Sequence, residues 1–484
     1  MTKATMNVLS SRDIEKVHDA SLRILAEVGV RIDSRAVRDL LRDAGAKVDN
    51  DGTTFIDEVL VNRSIEMAPE TVRICSRGGM DHIIPDNDVQ LVSTDGQPPA
   101  VLDPSTGEKR ASTLQDLKEL TTLADALPEV GFYWPMVIAN DIPPDRSSFY
   151  EFLASIAYTS KHVQHGAASA DEADYQVELC SAILGSREAL RERPIFSDVC
   201  TPISPLRYDA GEADAIAVLA NAGVPVIHLS MGIAGAVTPA SVAGSLAVIN
   251  AENLCGMAMS QAASEGAPSI YSSFSGVMDL RTGVFLCGTP EGVLMDSAAV
   301  QMARHYKVPS CAGGPSNAAR SLSSEAGSES AITAMGALLT GADMMVGLGG
   351  LDRAGVMSKE KLVMDCETWR WLERIRSGID VSDDTLGVDA VVRRGPGGTF
   401  LSDVHTARFI RKEFLIPQIT AHHSERDPDG VEDELLTYAK ARVRELLASH
   451  EPRLLEGEVA RRVGEVAKKH GVLMPDGSQI FDHG

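Results

Sequence analysis

Short apolar strand candidates recur along the middle of the chain: "GFYWPMVI" from 131, "HVQHGA" from 162, "IFSDVC" from 195, "GVPVIHLS" from 223, "APSIYSSF" from 267, "VPSCAG" from 308 and "ADMMVG" from 342. Successive starts lie 28 to 44 residues apart, with helical apolar periodicity in most of the intervals. That spacing accommodates one strand, one crossover helix and two loops, so each repeat reads as a βα unit and the strands run parallel. Seven units in succession predict an α/β fold, a (β/α)8 barrel of TIM type in preference to an open doubly wound sheet. The eighth strand is expected either before residue 113 or after 380.

Around this repeat the chain divides into three parts: an N-terminal layer of helices and β-hairpins at 1–112, the barrel core at 113–392, and a C-terminal helical extension at 393–484. In the first part, "SSRDIEKVHDASLRILAEVG" has apolar residues at helical spacing, a serine N-cap and Gly29 as a stop. "VDNDGTT" lacks the remaining ligands of a calcium loop and reads as a turn. "STDGQPPAVLDPSTGEKR" carries turn signals between short extended pieces, which predicts hairpins. The "RRGPGG" stretch at 393–398 marks a break, and two amphipathic helices near 431–449 and 454–470 follow.

Charge and cysteine usage exclude several function classes. With 45 Lys and Arg against 68 Asp and Glu, the net charge of −23 repels nucleic acid and anionic membranes. Seven scattered cysteines without a CxxC pair fit neither a disulfide framework nor a structural zinc site. With no apolar signal-like stretch at the N-terminus, the expected location is cytoplasmic. An acidic surface with added helices is compatible with a homo-oligomer.

A barrel places chemistry at the C-terminal ends of its strands. Those ends carry Trp134, His162 and His165, Cys200, His228, Tyr271 and Phe274, then two glycine loops, "CAGGPSNAARSLSSEAG" at 311–327 and "GLGGLDR" at 347–353. No carboxylate pair and no metal-ligand spacing stand out, so no bound metal is expected. The histidines of "HVQH" are three apart, which puts them on opposite faces of a strand. Aromatic rings with few charges suit a compact cation held against ring faces. The glycine loops admit a second reading, a phosphate grip, but match no phosphate-loop fingerprint.

The segment "GVPVIHLSMGIAGAVTPASVAGSLAVINAENLCG" (223–256) resembles the corresponding segment of the trimethylamine methyltransferase family, as do "TSKHVQHG", "TPISPL", "MDLRTGVFLCGTPE", "MSKEKLVMDCETW" and "FLSDVHTARFIRKEFLIP". The resemblance implies a barrel enzyme that passes a methyl group from an amine to the cobalt of a corrinoid held by a partner protein. The trimethylamine enzymes carry pyrrolysine in the loop at 311–327; here Pro315 stands at that position and Asn317 replaces an aspartate. This chain therefore resembles the branch without pyrrolysine, which demethylates quaternary amines such as glycine betaine. On that reading Trp134, Tyr271 and Phe274 surround the ammonium, and His165 and His228 line the pocket. Arg320, or a glycine-loop amide near 313–316, binds a substrate carboxylate, with Gly314 and Pro315 at the substrate. Glu252 and His405 match family segments and read equally well as structural. The alternatives are a non-catalytic betaine-binding protein and a phosphate-gripping barrel lyase.

Overall fold

The computed structural model describes residues 3–86, 88–103, 106–419 and 434–473. Eight parallel strands close into a barrel: β1 Leu91–Thr94, β2 Val130–Tyr133, β3 His162–His165, β4 Phe196–Cys200, β5 Val226–Ser230, β6 Ser269–Ser273, β7 Ser310–Gly313 and β8 Met344–Leu348. Each is followed by a helix: α1 Leu114–Ala126, α2 Ser147–Tyr158, α3 Ala170–Leu184, α4 Ala210–Ala222, α5 Val242–Ala263, α6 Pro290–His305, α7 Ser324–Thr340 and α8 Lys359–Arg376.

The strand that the spacing left unplaced is β1, within the 1–112 stretch. It pairs with β8 through Val92 and Met345 and with β2 through Val92 and Val130, and so closes the barrel. Only four residues long, it escapes the βα spacing because its connection to α1 detours through a hairpin, Ala100–Leu102 with Lys109–Ala111. The barrel therefore runs from Leu91 to Arg376, earlier at both ends than the block 113–392.

Strand alternation divides most of the buried apolar residues between two large clusters, with two small ones beside them. Leu91, Phe132, Val199, Ile227, Leu229, Ile270, Cys311, Met344 and Val346 fill the interior. A hairpin, Val72–Ile74 with His82–Ile84, plugs the N-terminal end by adding Val72, Ile74 and Ile84 to that cluster. The larger cluster lies between the strands and the helices.

The helix Ser11–Arg23 starts at the serine cap, with Ser10 and Asp13 forming a capping box. It packs on α5 together with the helices Arg35–Ala44 and Glu58–Met67. That covering explains why α5 lacks a polar face: Ser245 to Gln261 are all buried. The C-terminal helix Glu434–Ser449 packs on α8 and α1, and Gly457–Lys469 on α3; the expected start of the first at 431 lies outside the described residues. All seven cysteines are buried and unpaired.

One buried ion pair lies beneath the loops that follow β7 and β8. Lys361 and Asp365, one turn apart on α8, are 3% and 4% exposed and in direct contact. Lys361 also donates to Ser330 Oγ at 2.9 Å, and Asp365 accepts from Gly349 N at 2.9 Å. Lys361→Met strands the carboxylate, at a cost of about 3–5 kcal/mol. A clear fall in thermal midpoint is expected, with substantial recovery in Lys361→Met/Asp365→Leu. A single variant that melts with the parent contradicts this.

Candidate active site

The C-terminal mouth of the barrel is an aromatic cup. Trp134, Met231 and Phe274 each sit one residue beyond their strand, in phase with the inward residues Phe132, Leu229 and Ser272, and pack with Phe285 on the interior cluster. Trp134 is fixed by β1: the Thr94 hydroxyl donates to Trp134 O at 2.6 Å and lies 3.0 Å from Trp134 N. Its indole N–H is buried without a protein partner.

The next residue after Thr94 is Asp95, 6% exposed. Its amide donates to Leu348 O at 2.9 Å, and its carboxylate accepts from Gly96 N at 3.0 Å. Two glycines permit this placement. A Cβ on Gly350 would fall 1.9 Å from Asp95 Oδ2, and one on Gly96 would fall 2.4 Å from the Trp134 ring. Burial pushes the Asp95 carboxyl up to about 6, with the nearby Asp365 charge adding and Lys361 opposing.

The first half of the loop 311–327 is tied inward at several polar groups. Gly314 N donates to Val346 O (2.7 Å), Ser316 N to Thr333 Oγ1 (3.0 Å) and Ala318 N to Glu329 Oε2 (2.7 Å). Asn317 Nδ2 reaches Gly350 O at 2.8 Å and Ser330 Oγ at 3.2 Å, which joins the loop to the Lys361 network. Pro315 is buried and has no N–H to offer. The amides of Gly314, Ser316 and Ala318 are therefore taken up within the protein, and Gly314 has none to offer a phosphate or carboxylate.

Against it lies a strained segment. Asp352, Arg353 and Ala354 have φ of 52°, 61° and 58°, a left-handed conformation that costs each non-glycine residue on the order of 1 kcal/mol. Asp352 N donates to Ala319 O at 2.8 Å and Arg353 N to Asn317 O at 3.1 Å, so the two loops hold each other.

The remaining expected residues lie elsewhere. His165, His228 and Tyr271 have the opposite strand phase and point into the strand–helix layer, not the cup. His165 stands edge-on to Phe152 at 5.3 Å with Nδ1 2.8 Å from Gly166 O, and burial pushes it down to about 4. His228 packs on Gly256, with Nε2 3.3 Å from Ser260 Oγ, and is pushed down to about 3. Tyr271 donates to Asn250 Oδ1 at 3.0 Å. His162 does face inward, but near the plug, bonded to Cys75 O at 2.8 Å and Ser197 Oγ at 2.9 Å. The alternation in "VIHLS" and "SIYSSF" carries this information, since His228 and Tyr271 alternate with the inward Ile227, Leu229, Ile270 and Ser272.

Glu252 anchors a loop. Its carboxylate accepts from Ser230 Oγ (2.5 Å), Leu206 N (2.8 Å) and Ser204 Oγ (2.9 Å). Arg320 is on the outer rim, its side chain 78% exposed and its Nε 3.8 Å from Asp352. His405 lies outside the barrel, against Phe409 at 4.5 Å. Among the described residues no group of three or more His, Cys, Asp or Glu side chains is arranged to hold a metal. Asp95, Met231 and Phe285 were missed by sequence reasoning. Asp95 was hidden in the turn-like "DGQPP" after a strand that the spacing could not place.

The model of the trimethylamine methyltransferase (MTTB) family matches residues 1–472. The chain belongs to this family. It is a methyltransferase. It is 29% identical over 467 residues to a glycine betaine methyltransferase of Desulfitobacterium hafniense (strain Y51), covering 96% of this chain and 97% of that one. To a trimethylamine methyltransferase MttB of Methanosarcina barkeri (strain Fusaro / DSM 804) it is 26% identical over 480 residues, covering 96% and 95%. The solved monomethylamine methyltransferase of Methanosarcina barkeri shares the fold, with a TM-score of 0.52, 12% identity and coverage of 92% and 88%.

For this family member, Gly350→Ala should displace the Asp95 carboxylate and cut activity at least tenfold. Gly327→Ala, at an exposed helical site with nothing within 4 Å of the added methyl, should instead gain about 0.5–1 kcal/mol. Paired activity and melting measurements check both; full activity in Gly350→Ala contradicts the packing argument.

Proposed function

We propose that this methyltransferase moves a methyl group from a quaternary amine of the glycine betaine class to Co(I) of a corrinoid carried by a separate protein. The observation that carries the reading is the cup itself: an aromatic mouth with two buried carboxylates, Asp95 and Asp296, beside a Cys287 thiol that burial keeps protonated, so that no thiolate nucleophile and no exposed acid–base pair is offered. A quaternary ammonium needs neither, because it is already activated. The corrinoid supplies the nucleophile; the C–N bond breaks, its electron pair stays on nitrogen, and a neutral tertiary amine leaves.

The chain's own contribution is positional. The Trp134 and Phe274 rings offer faces to the ammonium, each worth roughly 0.5–2 kcal/mol when desolvated. Asp95 supplies the countercharge, and the unpartnered Trp134 N–H is a donor for a substrate oxygen. Pro315, at the position where the resemblance places pyrrolysine, fills its loop without adding a reactive group. Around the mouth, Ile203 and Leu280 are 47% and 81% exposed, an apolar rim suited to a macrocycle brought by a partner.

Enzyme, glycine betaine and a reduced corrinoid protein should give methylated corrinoid and dimethylglycine in equal amounts. Tight binding without turnover would indicate a binding protein instead. Asp95→Asn should weaken binding of the quaternary amine about 10–100-fold, the range expected for losing one nearby countercharge in a partly screened site. Only the ionised carboxylate attracts the cation, so affinity in the parent should rise as pH increases through about 6. The variant should lack that rise, and calorimetric titration at pH 5 to 8 reads it. The charged or titratable neighbours of Asp95 are Asp365 and Lys361 of α8 and Cys287 of the loop after β6, the thiol pushed up to about 12. A parent with pH-independent affinity overturns the role of Asp95.

A further inference from the structure

Exposed apolar side chains concentrate in one short stretch of the chain. Between Trp371 and Ile416, fourteen large apolar side chains are 39% to 91% exposed, of 26 such residues among those described. Under a tenth of the sequence thus holds more than half of them, which is not the scatter of an ordinary surface.

The stretch is an ordered lobe rather than a loose tail. Three short helices, Asp383–Leu386, Val388–Arg394 and Val404–Glu413, follow α8. Asp403 caps the third through His405 N (2.9 Å) and holds Arg393 at 3.1 Å and Arg394 at 2.8 Å from the second. Arg408 meets Asp384 of the first at 2.7 Å, and Arg374 of α8 meets Glu413 at 3.0 Å. Val392, Leu401 and Val404 are left 74%, 91% and 77% exposed.

The lobe leaves the barrel at the end away from the mouth. The last turn of α8 is bonded to residues that precede β1: Arg376 O accepts from Ala4 N at 3.2 Å, and Arg376 Nη1 donates to Asp88 O at 3.4 Å.

We propose that this lobe is the self-association surface of the protein, and that its occupant is a second copy of the chain related by a twofold axis. Area is the first argument. These fourteen exposed side chains present on the order of 1,000 Å² of apolar surface, more than the few hundred Å² of a monomer patch and enough for about 800 Å² per partner of a stable dimer. Charge is the second. Residues 379–416 carry six acidic and five basic side chains, a balance of −1, within a chain of −23. The rest of an approaching copy is repelled, whereas this face is not. Within the lobe several of these charges are already paired, Arg393 and Arg394 with Asp403 and Arg408 with Asp384, so the face offers a twofold-related copy chiefly apolar contact. The third argument rests on the proposed function: a partner bringing the methyl acceptor must reach the mouth, and association at the opposite end leaves it open.

Sedimentation equilibrium of the full chain at up to about 50 μM tests this, a range in which a micromolar dimer holds roughly nine-tenths of the chains. The expected result is a mass of twice 51.6 kDa or a whole multiple of that dimer. Leu401→Glu and Val392→Glu should each weaken association at least 100-fold, while Val59→Glu, on an exposed valine elsewhere, should sediment as the parent. Melting curves verify the fold of each variant, and either lobe variant alone suffices. A monomeric parent at the highest concentration overturns the proposal, as does a folded lobe variant with undiminished association. Mass is read without substrate, so failure here is separate from failure of the methyl-transfer assay.

Discussion

The mouth of this barrel is organised from beneath by the contact between Lys361 and Asp365. Each charge loses several kcal/mol of hydration on burial, and the pair survives because its remaining hydrogen-bonding capacity is used. Ser330 accepts from the lysine, Gly349 donates to the aspartate, and Asn317 reaches the same serine. The loops after β7 and β8 are thereby joined through one buried point. Their mutual bonds at Asn317, Ala319, Asp352 and Arg353 then hold three consecutive residues in left-handed backbone. The strain is sustained because the surrounding structure over-determines it.

From that framework the chemistry of the cup follows with few parts. Gly350 can exist at the end of β8 only as glycine, and its missing Cβ is where the Asp95 carboxylate lies. Gly96, the next residue, in turn leaves room for the Trp134 ring. The result is a countercharge and ring faces at one opening, with the tightly bonded loop of Pro315 as a wall. For a substrate that is already activated, such a site needs to hold and orient rather than to move protons. On the proposed reading the two ends of the barrel differ in role, with methyl transfer at the mouth and an apolar lobe at the far end.

Much of this architecture was legible in the residues. Seven strands showed in the spacing of short apolar runs, and the Ser10 cap and Gly29 stop lie where the sequence places them. The eighth strand did not show, because "LVST" is short and its connection is a hairpin instead of a helix. Trp134 and Phe274 were readable as mouth residues since strand ends are readable. His165, His228 and Tyr271 were placed in the pocket because proximity to a strand end was counted without its phase. Asp95 could not be found without β1, and Gly350 gains meaning only once β8 and β1 are neighbours, a contact between residues some 250 apart in sequence.

The central claim is that an onium centre sits at the mouth between Trp134 and Asp95. A crystal structure with a quaternary arsonium analogue of betaine tests it directly, because arsenic is located by its anomalous scattering alone. The account predicts one strong peak within about 6 Å of the Trp134 ring centroid, on the side of the Asp95 carboxylate. A peak elsewhere, such as the cleft of about 540 Å³ lined by Arg304 and Arg376 at the opposite end of the barrel, would contradict it.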